Sequence, residues 1–307
     1  MSQRADIHQQ NRSPIQETYF IHEDQMTLLD ALQQKSSRSR TAAKKLLSTG
    51  RVSIDGIPTT LATELLSSGA LLTVHEAAPV KPFRHQRIKV LWENEDYVIL
   101  YKQSGIPTVN TARRDRRDTV LYLLSKYYKE INANAKLFMV NRLDRNTTGF
   151  VVFAKNIDAK ELLVKEWGRR VTHQIFATCV EGMIEDRSPH TIESVSERKE
   201  GRNRYQQVTT AQVRVLKSST HGNMHVLEVD VERARIFSLR KMLGDQSLSI
   251  FGDVCSGSSF MTDHKIALQQ VELELTIPKS EERLALKRPF PTHYYTFLKE
   301  DRKKHLQ

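Results

Sequence analysis

Val140-Asn141-Arg142-Leu143-Asp144-Arg145-Asn146-Thr147-Thr148-Gly149-Phe150-Val151-Val152-Phe153-Ala154-Lys155-Asn156 is the stretch that decides how the larger part of this 307-residue chain is built. Apolar residues from Leu137 to Val140 lead into a polar, charged turn, and the run Phe150 to Ala154 leads out of it. Apolar runs bounded by turn residues read as strands, so the pattern predicts a carboxylate, Asp144, carried between Arg142 and Arg145 on a loop joining two sheet segments. Gly149 can take a positive φ and turn the chain into the second strand. Asp, Asn, Thr and Gly are also ordinary turn residues, so a solvated hairpin turn fits the same letters. The opening Asp144-x-Asn146-x-Thr148-Gly149 looks like a calcium loop, but such a loop needs a bidentate glutamate at its twelfth position, which here is Lys155.

Working outward, the composition is that of a globular protein with polar surfaces: 39% hydrophobic, with 12 Gly and 9 Pro. The length suits one large domain and one small one. A formal net charge of +11 favours a polyanionic partner, with nucleic acid the first choice. Cys179 and Cys255 stand far apart with no Cys-x-x-Cys or His/Cys cluster, which argues against a structural zinc site and a disulfide framework and fits a reducing compartment. No apolar run approaches the roughly 20 residues of a membrane span. Met1 to Asp24 lacks the apolar core of a secretory signal, so the cytoplasm is the expected location.

The expected organisation is a flexible tail over 1–25, a small unit over 26–78, a linker over 79–88, a large domain over 89–298 and a C-terminal tail over 299–307. In the small unit Thr27 caps a helix with Asp30 at capping-box spacing, Thr41 to Leu47 form a second helix, and Gly50 stops it. Arg51 to Gly56 alternates like a strand and turns at Asp55-Gly56, with Leu71 to Val74 as a returning strand. From Lys35 to Arg51 the chain holds Lys35, Arg38, Arg40, Lys44, Lys45 and Arg51 and no acid, as expected of a phosphate-binding face. In the large domain, Lys89 to Lys102 read as two strands around an acidic turn, and Arg113, Arg114, Arg116 and Arg117 form a dense basic loop. Asp118 is the expected cap of a helix beginning near Thr119. A further helix is expected over Ile157 to Gly168, and strands over Gln212 to Leu216, Val226 to Val231 and Val271 to Ile277.

Two resemblances follow from these residues. Ser37 through Gly56 resembles the small αL RNA-binding domain first seen in ribosomal protein S-four. Arg142, Leu143, Asp144, Thr147, Thr148, Gly149, Ala154 and Lys155 resemble the signature of the large-subunit RNA pseudouridine synthases, the RluA type, in which the Asp is catalytic. Three further segments resemble that family in the same order. They are Lys102-Gln103-Ser104-Gly105-Ile106-Pro107, Gln174 to Gly182, and Arg235-Ile236-Phe237-Ser238-Leu239-Arg240 followed by Ile250-Phe251-Gly252-Asp253. The departures are Gln103, Asn141, Phe176, Ala234, Phe237 and Ser238, where the family has Pro, His, Tyr, Gly, His and Gln.

The resemblance implies an α+β catalytic domain built on a mixed, largely antiparallel sheet with peripheral helices. It implies an isomerase that turns specific uridines of structured RNA into pseudouridine, rRNA rather than tRNA being favoured, with neither metal nor cofactor. Asp144 is then the catalytic carboxylate and Arg240 its counter-charge. Phe176 is the aromatic platform beside the base. Arg142 and Lys102 shape the site or meet phosphate, and Arg38, Arg40, Lys44, Lys45, Arg113, Arg114, Arg116 and Arg117 line the RNA path. The chain is expected to act as a monomer. The alternative is a catalytically weakened or inactive RNA-binding relative on the ribosome, motivated by Asn141, Phe176, Phe237 and Ser238.

Overall fold

The computed structural model describes residues 15–76, 83–109, 117–200, 203–234, 238–260 and 266–301. The chain divides into two compact units, Met1–Phe83 and Arg84–Gln307. The first contains β1 (Ile15–Phe20), β2 (Met26–Thr27), α1 (Leu28–Ser36), α2 (Arg40–Ser48), β3 (Val52–Ile54), β4 (Ile57–Pro58), β5 (Leu65–Leu66) and β6 (Leu71–His75). Its main sheet runs in the order β1-β6-β3-β4, and β2 pairs with β5.

Local chemistry sets these elements. Thr27 Oγ1 accepts from the Asp30 amide at 3.2 Å and donates to the Asp30 carboxylate at 2.5 Å, opening α1. At the end of α2 the Gly50 amide reaches the Leu47 carbonyl and the Arg51 amide the Leu46 carbonyl, a paired C-terminal closure that needs the positive φ of Gly50 (69°). Asp55 and Gly56, with φ of 50° and 78°, make the tight turn between β3 and β4. Leu28, Leu32, Leu47, Val52, Leu72 and Val74 fill the core between helices and sheet. Burying such a side chain contributes roughly 1.5–3 kcal/mol. Residues 15–20, expected as tail, are instead an edge strand paired along β6 from Ile15 opposite His75 to Phe20 opposite Leu71. Neither face of this strand is fully buried, so its sequence carries no apolar alternation to betray it.

The second unit contains β7 (Ile88–Glu93), β8 (Tyr97–Lys102), α3 (Val120–Ile131), β9 (Phe138–Met139), β10 (Gly149–Ala154), α4 (Ile157–Arg170), β11 (Val171–Glu181), β12 (His190–Glu200), β13 (Asn203–Ser218), β14 (Met224–Val231), α5 (Leu239–Gly244), β15 (Ser249–Ile250), β16 (Leu268–Thr276), β17 (Arg283–Lys287) and α6 (Tyr294–Phe297). One sheet has the order β7-β8-β10-β9. The larger has the order β12-β13-β14-β11-β16-β17, with β15 added on β11. Every ladder between these strands is antiparallel. Helix α4 lays Leu163 and Trp167 on Tyr97, Phe150 and Val152 of the smaller sheet and on Leu273 and Leu275 of the larger, giving a shared core.

The two sheets meet where the Asp144 loop ends. Thr148 makes an isolated parallel bridge with Gln269. The Gln270 amide donates to the Thr148 carbonyl at 2.8 Å, and the Phe150 amide donates to the Gln270 side-chain oxygen at 3.2 Å. Gly149 sits at this seam. A Cβ there would stand 2.6 Å from Gln270 Cβ and 2.9 Å from Leu143 Cδ1. Gly149→Ala is therefore expected to cost about 1–3 kcal/mol through overpacking, read as a lower urea midpoint at unchanged slope.

Two end assignments differ from expectation. Thr119, not Asp118, caps α3, its Oγ1 accepting from the Tyr122 amide at 3.1 Å, because only Thr119 precedes the first helical residue. The expected C-terminal tail begins inside packed structure. Asp301 is 2% exposed and accepts a hydrogen bond from the Ser219 hydroxyl.

Candidate active site

Strand β8 ends at Lys102 and β10 begins at Gly149, opposite each other in the ladder. The Asp144 loop closes across these two ends and is held from several sides. Asn141 is 4% exposed; its Nδ2 donates to the Phe150 carbonyl at 3.2 Å and its Oδ1 accepts from the Val152 amide at 2.8 Å. The Thr108 hydroxyl donates to the Leu143 carbonyl at 2.7 Å and accepts from the Leu143 amide at 3.1 Å. The Gly105 amide meets the Arg145 carbonyl at 2.9 Å, and the Thr147 amide closes a turn on the Asp144 carbonyl at 3.2 Å. Every backbone group named here has a partner, so the loop is a fixed support with an exposed carboxylate at its tip. The Asp144 side chain is 49% exposed.

Arg240, on the first turn of α5, faces that carboxylate. Its Nη1 is 3.9 Å from Asp144 Oδ2, and its Nε is 2.6 Å from Asp253 Oδ2. Asp253 is 4% exposed, and the Arg240 Nε–H is not directed at it, so the two meet as an ion pair without a well-formed hydrogen bond. Arg240 thus spans a buried carboxylate and an open one. Ser238 caps α5, its hydroxyl accepting from the Lys241 amide at 3.3 Å. This departure from the family pattern starts the helix that carries Arg240.

Lys102 is completely buried, and its ammonium donates to the carbonyls of Ile106 at 2.8 Å, Arg145 at 3.1 Å and Gln103 at 3.3 Å. It ties the loop to β8, and so placed it meets no phosphate. Burial pushes its pKa down to about 7, with the Asp144 carboxylate opposing and Arg145 reinforcing the fall. Between that value and its ordinary one the unfolded chain holds a proton that the folded chain has lost, so this group adds stability as pH rises. Wild type is expected to gain stability relative to Lys102→Met when urea unfolding is compared from pH about 6 to about 9. Phe176 is 2% exposed and lies in the apolar core with Val229 and Leu268, with Leu143 packed on the same cluster. A stacking platform needs an open ring face. In this arrangement the ring supports the loop from beneath.

Residues 96–244 match the family described as RNA pseudouridylate synthase, and this span includes β8, the Asp144 loop, Phe176 and Arg240. Over these residues the chain is similar to the RNA pseudouridylate synthases. The family is an isomerase family. An uncharacterized RNA pseudouridine synthase of Bacillus subtilis, YhcT, is 25% identical over 229 residues, 70% of this chain and 72% of its own length. Ribosomal large subunit pseudouridine synthase D of Yersinia pestis is 28% identical over 150 residues, 47% of this chain and 46% of its own. The solved structure of human RNA pseudouridylate synthase domain containing 4 superposes with a TM-score of 0.51 at 18% identity, covering 68% of this chain and 92% of that one, so the fold is shared. Among the described residues no helix is long and apolar enough to cross a membrane.

Within the matched span the expected Asp144 and Arg240 come together, and Arg142 is exposed on the same loop. Arg117 is exposed, whereas Arg113, Arg114 and Arg116, with Arg235 and Phe237, lie outside the described residues. In the first unit Arg40, Lys44 and Lys45 are exposed, while Arg38 is paired with Glu17 and Lys35 with Glu23. Those acids lie outside the acid-free span and are brought to it by β1 and the turn after it. Sequence reasoning gave no role to Asp253, Thr108 or Arg145. Asp253 was visible in Ile-x-Gly-Asp, but no spacing links it to Arg240; Thr108 carried no signal.

Proposed function

We propose that this chain converts uridine to pseudouridine in RNA, with Asp144 as the catalytic carboxylate and Arg240 as its counter-charge. The observation that carries this is the Arg240 guanidinium 3.9 Å from the one open carboxylate of a braced loop, inside the span that matches the synthase family. A uridine in folded RNA hides its glycosidic bond, so it must leave the stack at a cost of a few kcal/mol. Ionised Asp144 then acts on the ribose, as nucleophile at the anomeric carbon or as base on the sugar, with Arg240 facing it as counter-charge. The bond from the ribose carbon to the base nitrogen breaks, the freed uracil turns, and the sugar rejoins it through carbon. No atom is gained or lost, so the product is an isomer. Phe176 backs Leu143 from beneath the loop, and Lys102 holds the loop from β8.

The first unit serves as an αL-type RNA-binding module, with Arg40, Lys44 and Lys45 as its phosphate contacts; their exposure on α2 supports this. Ribosomal RNA is the favoured target, supported by that module and by the similarity to a ribosomal large subunit synthase. The test is pseudouridine mapping of total RNA from cells with and without this protein, joined to tritium release from uridine-labelled rRNA and tRNA. A site lost with the protein, and release from rRNA, are expected. Binding of RNA without release would instead make this an RNA-binding relative that lacks turnover. The position of Asn141 counts against that outcome, since its substitution serves the loop's own hydrogen bonds.

A further inference from the structure

The Asp144 loop has a second side. Behind it lies a cleft of about 840 Å³ lined by Arg84, His85, Arg87, Gly105, Asp118 and Arg145, among others. Among the described residues its lining holds three arginines and one carboxylate. Gly105 brings two of them together: a Cβ on it would stand 2.2 Å from Arg87 Nη1, and its carbonyl accepts from Arg145 Nη1 at 3.4 Å. Among the described residues neither Arg87 nor Arg145 forms an ion pair, and all three arginines are exposed. Like charges gathered at one residue repel, and a cleft concentrates their field, so the arrangement favours an anion between them. His85 adds a donor. Its Nδ1 accepts from the Arg87 amide at 3.1 Å, which in the neutral ring leaves the proton on Nε2.

We propose that this cleft binds backbone phosphates of the RNA strand flanking the extruded uridine. Guanidinium forks match phosphate oxygens in pairs, which suits Arg rather than Lys at such a site. The cleft is joined to the chemistry through one residue. Arg145 follows Asp144 directly, and its carbonyl is held by Lys102 Nζ and the Gly105 amide. A phosphate gripped by Arg145 and Arg87 would therefore set the position of the strand against the neighbouring carboxylate. Phosphate contacts of this kind fix register without reading sequence. The inference rests on the RNA reading of the site.

The test compares the full chain with the double variant R84Q/R87Q, the charge-preserving R84K/R87K, and R214Q, which removes one positive charge from β13. The probes are a labelled single-stranded oligouridylate and a transcribed stem-loop RNA, titrated over a range of salt. The double Gln variant is expected to bind both probes more weakly, by a similar factor. Its slope of log K against log salt should be shallower by about 0.7 per lost phosphate contact, so about 1.4 for two. KM for pseudouridine formation should rise while kcat holds. The Lys variant should restore the slope and only part of the affinity, and R214Q should change neither. An unchanged slope in R84Q/R87Q, with wild type binding and modifying RNA, would overturn the cleft and leave the activity standing. Wild type that neither binds nor modifies RNA would sink both.

Discussion

Asp144→Asn is expected to lower pseudouridine formation by at least about 10³-fold, the scale on which removing a reacting group acts, while RNA affinity stays within about twofold. The substitution keeps the shape of the side chain and removes only its charge. The turn that carries it is closed by backbone, from the Thr147 amide to the Asp144 carbonyl, so the loop should persist. The flanking supports, Asn141 on β10 and Thr108 on Leu143, do not touch the carboxylate. Arg240 loses one anionic neighbour and keeps the other, Asp253, at 2.6 Å. Because the side chain is 49% exposed, its loss of charge should leave the thermal midpoint within a degree or two of wild type, roughly the effect of a change under 0.5 kcal/mol. The measurement is single-turnover tritium release under saturating enzyme, paired with direct binding. Full release by the variant would remove Asp144 from the chemistry; loss of binding together with activity would show that the loop had collapsed and would call for Asp144→Glu.

How much of this was legible depends on the range of the interaction that decides each feature. Thr27, Gly50 and Asp55-Gly56 act within a few residues of themselves, and the caps and turn they signal are present. The runs Tyr97 to Tyr101 and Phe150 to Ala154 are apolar and little exposed on both faces, with α4 and the larger sheet covering the face of Tyr97, Ile99, Phe150 and Val152, so they stand out as strands. Edge strand β1 is legible only through its partner β6. The charge of the site was harder to place. Asp144 was visible because its neighbours form a contiguous motif. Lys102 was visible as a motif residue, but the sequence does not say whether its ammonium meets RNA or carbonyls. That depends on the Gly105 turn and the Asp144 loop folding over it. Phe176 follows the same rule: strand alternation puts it on one face of β11, and only the packing of Leu143 and Leu268 shows that this face is closed. The cationic cleft joins Arg84 and Arg87, before β7, to Arg145, after β9, a convergence with no trace in local spacing.

Arg240→Gln should damage both activity and stability, and a second substitution should separate the two. Arg240 stands between an exposed carboxylate at 3.9 Å and a buried one at 2.6 Å. Removing the guanidinium leaves Asp253, 4% exposed, as an unpaired charge. For a wholly buried pair such a loss costs about 3–5 kcal/mol, and the 28% exposure of the Arg240 side chain should bring it nearer about 2–3 kcal/mol. Activity should fall by at least about 10²-fold, since the guanidinium that faces Asp144 is gone while charge moves on the ribose. Adding Asp253→Asn to Arg240→Gln removes the stranded charge, so most of the stability should return with none of the activity. Asp253→Asn alone should act differently. Arg240 would lose its buried tether and swing fully onto Asp144, tightening the ground-state pair that the reaction must loosen. The expected reading is a fall in kcat of about 10-fold with KM held, because RNA contacts elsewhere are untouched. Urea unfolding and turnover measured on all four proteins decide the matter. Equal stabilities across the set would show that Asp253 and Arg240 do not depend on one another, whereas recovered activity in the double variant would show that the cation is dispensable and that Asp144 works without it.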